Sequence, residues 1–339
     1  MTSTAGQSVL VTGASGFIGG HLVRRLTARG YRVSCLVRAT SRVDELRAAG
    51  AALIACDIAD RAGVARAIAS SNVRVVFHLA GRVRALNPGD FTRVNAGGVE
   101  SVAQACTHQP DRPVLVLVSS LAAAGPSAER PTVESDPPVP VSHYGRSKFA
   151  GEQMAMRHAD VLPITIVRPC VVFGAGDRGM YEVFRPIARS GLHVVGGSGG
   201  HRVSLVAVAD LVECLLLAAE QGERLVPGTP GHGIYFAAAE DVSYVELGLA
   251  IARALGKPQP RILRLPGWSM RTIGRFGDVL SRIRRRPGWV GRDKIRDVLA
   301  GSWTCSSAKA RQQLGWLPAA PLADRFRETG EWYRDAHWL

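Results

Sequence analysis

Residues 8–37, SVLVTGASGFIGGHLVRRLTARGYRVSCLV, carry the strongest constraint on the fold. An apolar burst at Val9–Val11 meets a turn spaced by Gly13, Gly16 and Gly19. A helical stripe of Leu22, Val23 and Leu26 follows, Gly30 ends it, and a second apolar burst closes the unit. The rhythm repeats as strand 52–55, helix 60–70, strand 73–78, helix 90–107, strand 114–119, helix 143–158 and strand 163–168. Strands alternating with helices predict an α/β fold: a doubly wound parallel sheet covered on both faces.

In such a sheet the first turn holds a dinucleotide. Gly13 permits the tight turn, Gly16 admits a pyrophosphate to the helix N-terminus, and Gly19 lets helix and strand pack closely. Ser15, Phe17 and Ile18 lie between them and are read with them as cofactor contacts. The second strand exits as CLVRATSR, with no carboxylate for a ribose 2′-hydroxyl before Asp44. Arg38 and Ser41 stand there instead, and a guanidinium suits a 2′-phosphate, so NADP(H) is favoured over NAD(H); a solvated arginine is the plainer alternative. Asp57 and Ile58 after the third strand suit adenine, and Leu79, Ala80 and Gly81 after the fourth permit close backbone approach.

Beyond about residue 170 the alternation loosens. A helix is expected over 177–191, a strand at 203–208, a helix at 208–220 and a strand at 234–239. Further helices are expected over 243–256 and near 268–285, 306–314 and 321–335. We read 1–170, with about 203–222, as a Rossmann domain. A smaller, mostly helical substrate-binding region takes 171–202 and 223–339.

SHYGRSKFAGEQ, residues 142–153, sets Tyr144 four places before Lys148, on one face of the expected helix. The chain has six Tyr but only four Lys, at 148, 257, 294 and 309, and otherwise writes arginine. An amine is retained at 148 in a stretch of 256 residues with no other lysine.

Taken in order, TGASGFIG, VSSLAAAG with Ser119 and Ser120, the Tyr144/Lys148 helix and RPCVVFG at 168–174 resemble the extended short-chain dehydrogenase/reductase family. That family includes the NAD-dependent epimerases and dehydratases. The resemblance spans nearly the full length. SLVAVADL at 204–211 is similar to its second-domain segment, with Ala207 and Ala209 in place of the usual His and Asp; Phe173 and Ala175 replace Tyr and Pro. The resemblance implies Tyr144 as general acid/base, Lys148 as the cation that favours the phenolate and holds the nicotinamide ribose, and Ser120 at the substrate oxygen, with Ser119 as the alternative. It implies Asn95 near the cofactor, or else a satisfied polar residue. Pro169, Cys170 and Val171 would pass beside the nicotinamide.

SSLAAAGP and GAGDRG look most like the 3β-hydroxysteroid dehydrogenase and dihydroflavonol reductase branch. That implies hydride exchange between NADP(H) and a carbonyl or alcohol on a hydrophobic sterol-, isoprenoid- or flavonoid-like substrate. The alternative is an NDP-sugar epimerase or dehydratase with tightly bound NAD. A non-catalytic binding relative is disfavoured by the intact Ser/Tyr/Lys set. A homodimer through a four-helix bundle is the family expectation.

Composition sets the surroundings. The net charge is +14, and residues 251–339 hold 18 Lys/Arg against 7 Asp/Glu. No helix-turn-helix, zinc-finger or RNA-binding signature accompanies that charge, so nucleic acid is not expected. Apolar and cationic residues interleave over 268–286, which suits peripheral contact with an anionic membrane, or a basic helix packed on its own domain. Six scattered Cys without a Cys-x-x-Cys pair imply free thiols, no metal site and a cytoplasmic setting.

Overall fold

In the computed structural model, which describes residues 6–197 and 199–339, the chain opens with the expected unit. β1 (Ser8–Thr12), α1 (Phe17–Ala28), β2 (Arg32–Val37), α2 (Asp44–Ala48) and β3 (Ala52–Ala55) come first. α3 (Arg61–Ser71), β4 (Val75–His78), α4 (Pro88–Asn95), α5 (Gly97–Thr107), β5 (Val114–Val118) and α6 (Leu121–Ala124) follow. α7 (His143–Met156) and β6 (Ile164–Pro169) complete the regular alternation.

The second part runs β7 (Val171–Phe173), α8 (Arg178–Ser190), β8 (Leu192–Gly196), β9 (Arg202–Ala207) and α9 (Val208–Gln221). Then come β10 (Ile234–Ala237), β11 (Glu240–Ser243), α10 (Tyr244–Ala254), β12 (Arg261–Leu265) and α11 (Gly267–Ile283). α12 (Arg292–Leu299), α13 (Ala308–Leu314) and α14 (Leu322–Asp335) end the chain.

Seven strands form one sheet in the order β10-β6-β5-β4-β1-β2-β3, and every neighbouring pair is parallel. Alternate strand residues face opposite layers. Val9, Val11, Phe77, Val116 and Val167 pack toward α1 and α9. Leu10, Val76, Leu115, Leu117 and Ile166 pack toward α3 and α5. Both faces are apolar because both are covered, as the near-continuous Val/Leu/Ile runs require. Strand order reverses at β1, so a crevice opens where the loops after β1 and β4 diverge.

Two expectations about elements change. The single helix expected over 90–107 is two, meeting at Ala96 before the Gly97–Gly98 pair. Glycines lack the side chains that stiffen a helix, and such pairs are common kink points. Ile234–Ala237 falls in the stretch read as substrate-binding, yet β10 pairs with β6 and extends the nucleotide sheet. Its four residues are all buried, as a strand covered on both faces must be.

Outside the main sheet, β9 pairs antiparallel with β11 and parallel with β7, and β8 pairs with β12. Asp210 on α9 ties the C-terminal segment down. It accepts from Ala319 N at 2.9 Å and from Arg325 Nη2 at 2.7 Å, and its carbonyl accepts from Trp316 Nε1 at 2.9 Å.

Candidate active site

Backbone geometry shapes the nucleotide end of the crevice. Gly13 has φ of 70°, and a Cβ there would sit 2.6 Å from Ala80 N. A Cβ on Gly19 would strike the Gly13 carbonyl. Only glycine fits either position. Gly16 is the N-cap of α1 and offers no side-chain acceptor, which leaves the helix's first-turn N–H groups free for an anion. Thr12 Oγ1 bonds His78 Nδ1 at 2.8 Å and accepts from Ala80 N at 3.2 Å, locking the β1 and β4 ends together. Burial holds His78 neutral, with its pKa pushed down to about 3.

A cleft of about 1860 Å³ runs along this surface. Gly13, Ser15, Gly16, Phe17, Ile18, Gly19, Leu79, Gly81, Ser119, Tyr144 and Lys148 all line it. Ser119 Oγ is buried without a protein partner. An uncapped helix terminus, a glycine cradle and an orphaned hydroxyl fit a nicotinamide dinucleotide.

α7 is placed by its small residues. A Cβ on Gly145 would strike the Ala122 carbonyl, and one on Gly151 would lie 2.7 Å from Asn95 O. Glycine at both lets the helix lie against α6 and α4. Ser142 caps Gly145 N at 3.0 Å. Asp293 of α12 accepts from His143 N at 2.8 Å and Tyr144 N at 3.2 Å. A carboxylate at a helix N-terminus also meets the dipole favourably.

Tyr144 and Lys148 share the face toward the crevice. Lys148 Nζ donates to Val118 O at 2.7 Å, and burial lowers its pKa to about 8. The Ser120 hydroxyl hydrogen-bonds the Tyr144 phenol and favours its ionised form. The phenol's pKa lies above its ordinary value, and Lys148 is not among the causes. Burial dominates and raises it, Ser120 lowers it, and the Asp297 carboxylate raises it.

A second cavity of about 560 Å³ meets the cleft at Tyr144. Its buried wall is mostly apolar, formed by Phe91, Leu121, Cys170, Val203 and Trp303. Its exposed rim is cationic, with Arg282, Arg292, Lys294 and Arg296. Ser120 lines this cavity, whereas Ser119 lines the cleft. Val83, Arg84 and Trp289 line both spaces, with the Arg84 guanidinium 3.8 Å from the Trp289 ring centroid.

Several expected cofactor contacts lie elsewhere. Ile58 is buried in the core behind α3 and α5, where its Cγ1 would be 3.0 Å from a Cβ on Gly98. Asp57 is exposed and turns back to accept from Ala59 N at 2.9 Å. Ala80 packs its methyl against the second core while its neighbours face the cleft. Asn95 is the satisfied polar residue: it accepts from Arg82 N at 2.7 Å and donates to Arg82 O and Ser147 Oγ. Arg38 is exposed at the β2 exit, and Ser41 Oγ accepts from Arg38 N at 3.2 Å. Arg42, the next residue in the same β2 exit, lines the cleft instead. Pro169 is buried in β6, and Cys170 and Val171 face the second cavity. Burial and the neighbouring Cys305 push the Cys170 thiol up, so it is no nucleophile.

The site residues missing from the sequence reading are Asp293, Asp297, Arg84 and Trp289. Each lies far along the chain from Tyr144 or in an irregular loop, and no local spacing marks it. Among the described residues no group of His, Cys, Asp or Glu is arranged to hold a metal ion. All six cysteines are free, and no helix there is long and apolar enough to cross a membrane.

Comparison with known proteins agrees with this geometry. The NAD dependent epimerase/dehydratase family pattern matches residues 9–230. A ceramide reductase of Caulobacter vibrioides is 32% identical over 344 aligned residues, covering 100% of this chain and 98% of its own. A UDP-glucose 4-epimerase of Vibrio cholerae is 25% identical, covering 98% and 97%. The crystal structure of Thermus thermophilus UDP-glucose 4-epimerase with NAD superposes with a TM-score of 0.76 at 26% identity, covering 97% of this chain and 100% of that one. With a Rossmann sheet, a glycine cradle and Tyr144 and Lys148 along one cleft, the chain belongs to the NAD-dependent epimerase/dehydratase family, within the extended short-chain dehydrogenase/reductases.

Proposed function

We propose that the chain is an oxidoreductase that reduces a ketone on a lipid-like substrate with NADP(H). The observation that carries this is the second cavity. Its buried wall against Tyr144 and Ser120 is mostly apolar; Arg282, Arg292, Lys294 and Arg296 sit at the exposed rim, and Arg84, Asp278, Asp293 and Asp297 are half-buried. An apolar wall favours a hydrophobic chain beside the reacting carbon, since apolar surface removed from water contributes about 25 cal/mol per Å². Relatives support the class: besides the ceramide reductase, a Stigmatella aurantiaca ketoreductase of a farnesyl quinoline oxide is 28% identical.

When bound, the nicotinamide supplies or accepts the hydride. The chain's own residues do the rest. Ser120 Oγ holds the substrate oxygen and Tyr144 Oη gives it a proton during reduction. Lys148, fixed by Val118 O, keeps two N–H donors for a ribose hydroxyl. Ser119 Oγ gains the partner it lacks. Arg84 stacked on Trp289 separates the two spaces and limits water at the junction. Arg38 and Arg42 at the β2 exit receive a 2′-phosphate.

The cationic rim also suits a diphosphate, which keeps a nucleotide-sugar epimerase as the second reading. Cofactor titration by fluorescence separates them. NADPH should bind more tightly than NADH and dissociate on dilution. Arg38→Ala with Arg42→Ala should erase that preference, at least tenfold if the two guanidinium contacts contribute about 1.5 kcal/mol or more together. NADH preference, or protein that purifies with NAD bound, overturns the NADP(H) reading.

A further inference from the structure

α11 turns its apolar side to solvent. Trp268 is 70% exposed, Phe276 71% and Ile283 74%, with Ile273, Val279 and Leu280 also exposed. At about 100° per residue these six fall within roughly 140° of arc. The opposite side holds Gly274, the helix's one buried residue, with Asp278 and Ser281 lining the second cavity. A helix on the surface of a soluble domain puts its apolar stripe inward. Here the arrangement is reversed, which marks an interaction face.

Charge identifies what covers it. Arg271, Arg275, Arg282, Arg284, Arg285 and Arg286 are all exposed and flank the apolar face or follow it directly. Asp278 is the sole acid between residues 267 and 292, and it faces inward. Among the described residues, none of these six arginines is in an ion pair. Apolar anchors rimmed by unpaired guanidinium groups match a surface with hydrocarbon beneath and anionic phosphate above.

We propose that α11 lies in the plane of an anionic phospholipid bilayer, with Trp268, Phe276 and Ile283 inserted among the acyl chains and its arginines on the headgroups. The helix's inner side is a wall of the substrate cavity, so one helix diameter, about 10 Å, separates bilayer from cavity. A lipid substrate then enters without crossing water. Docking stands on α11 alone; the supply of substrate rests on the oxidoreductase reading.

Co-sedimentation of the full chain with vesicles tests it. The probes are phosphatidylcholine alone and phosphatidylcholine mixed with phosphatidylglycerol. We expect binding to the mixed vesicles, weakened by added salt and near background with phosphatidylcholine alone. Phe276→Asp with Ile283→Asp should abolish it. Arg271→Ser and Arg275→Ser should each weaken it about fivefold. These side chains are exposed, and the salt dependence of the unaltered protein tests the charge claim without any variant. Equal binding to both vesicles, or none to either, overturns the proposal. So does self-association in solution that Phe276→Asp disrupts, because a second copy then covers the face. Turnover of a detergent-dispersed ketone separates the two claims. If docking fails alone, that turnover persists without vesicle binding; if the oxidoreductase reading fails alone, vesicle binding persists without turnover.

Discussion

Tyr144 is held between opposing influences. Burial and the Asp297 carboxylate favour the neutral phenol, and the Ser120 hydroxyl favours the phenolate. Asp297 faces the second cavity with Oδ1 lacking a partner, and burial raises its own pKa. Once ionised, it makes Tyr144 harder to deprotonate. Asp297→Asn keeps the shape and removes the charge, so Tyr144 should lose its proton at lower pH. In alcohol oxidation, which needs the phenolate, the rise of rate with pH should move to lower pH. In ketone reduction the alkaline fall should begin earlier. Unmoved pH–rate profiles in both directions would remove Asp297 from this role. Lys148 was legible because the chain otherwise writes arginine. Asp297 was not, since 153 residues separate it from Tyr144 and only the folded chain brings them together.

α7 carries a further charged residue on the turn after Lys148. Glu152 accepts from Arg168 Nε at 2.9 Å and Nη2 at 2.6 Å, with side-chain exposures of 5% and 2%. This buried pair joins the catalytic helix to β6. Its net contribution to stability is small against a well-packed apolar pair, but removing one partner strands a buried charge. Glu152→Ala should therefore destabilise the fold by about 3–5 kcal/mol in urea unfolding. A loss under about 1 kcal/mol would mean that water reaches Arg168. The elements of the nucleotide half were legible because apolar periodicity and glycine punctuation agree there. Later ones were less so. β8 and β12 pair only with each other, and β7 and β11 are three and four residues long. Short strands carry too few alternations to stand out from loops.

At the scale of the molecule, the chain crosses between its two regions more than once. β10 returns to the main sheet after α9, and α12 reaches back to cap α7 through Asp293. Thus the segment that walls the second cavity also positions the tyrosine. The family and the parallel sheet could be read from ordered motifs, whereas this interleaving depends on long-range pairing with no local signature.

A net redox reaction on a hydrophobic ketone consumes its cofactor, so cofactor stoichiometry is the decisive measurement. Purified enzyme is given NADPH and a panel of long-chain ketones, and NADPH absorbance is followed beside product. One NADPH should be consumed per alcohol formed, with Tyr144→Phe slower by about a hundredfold or more. Conversion of a nucleotide sugar to its epimer with no net cofactor consumed, and no turnover of any ketone, would contradict the redox reading.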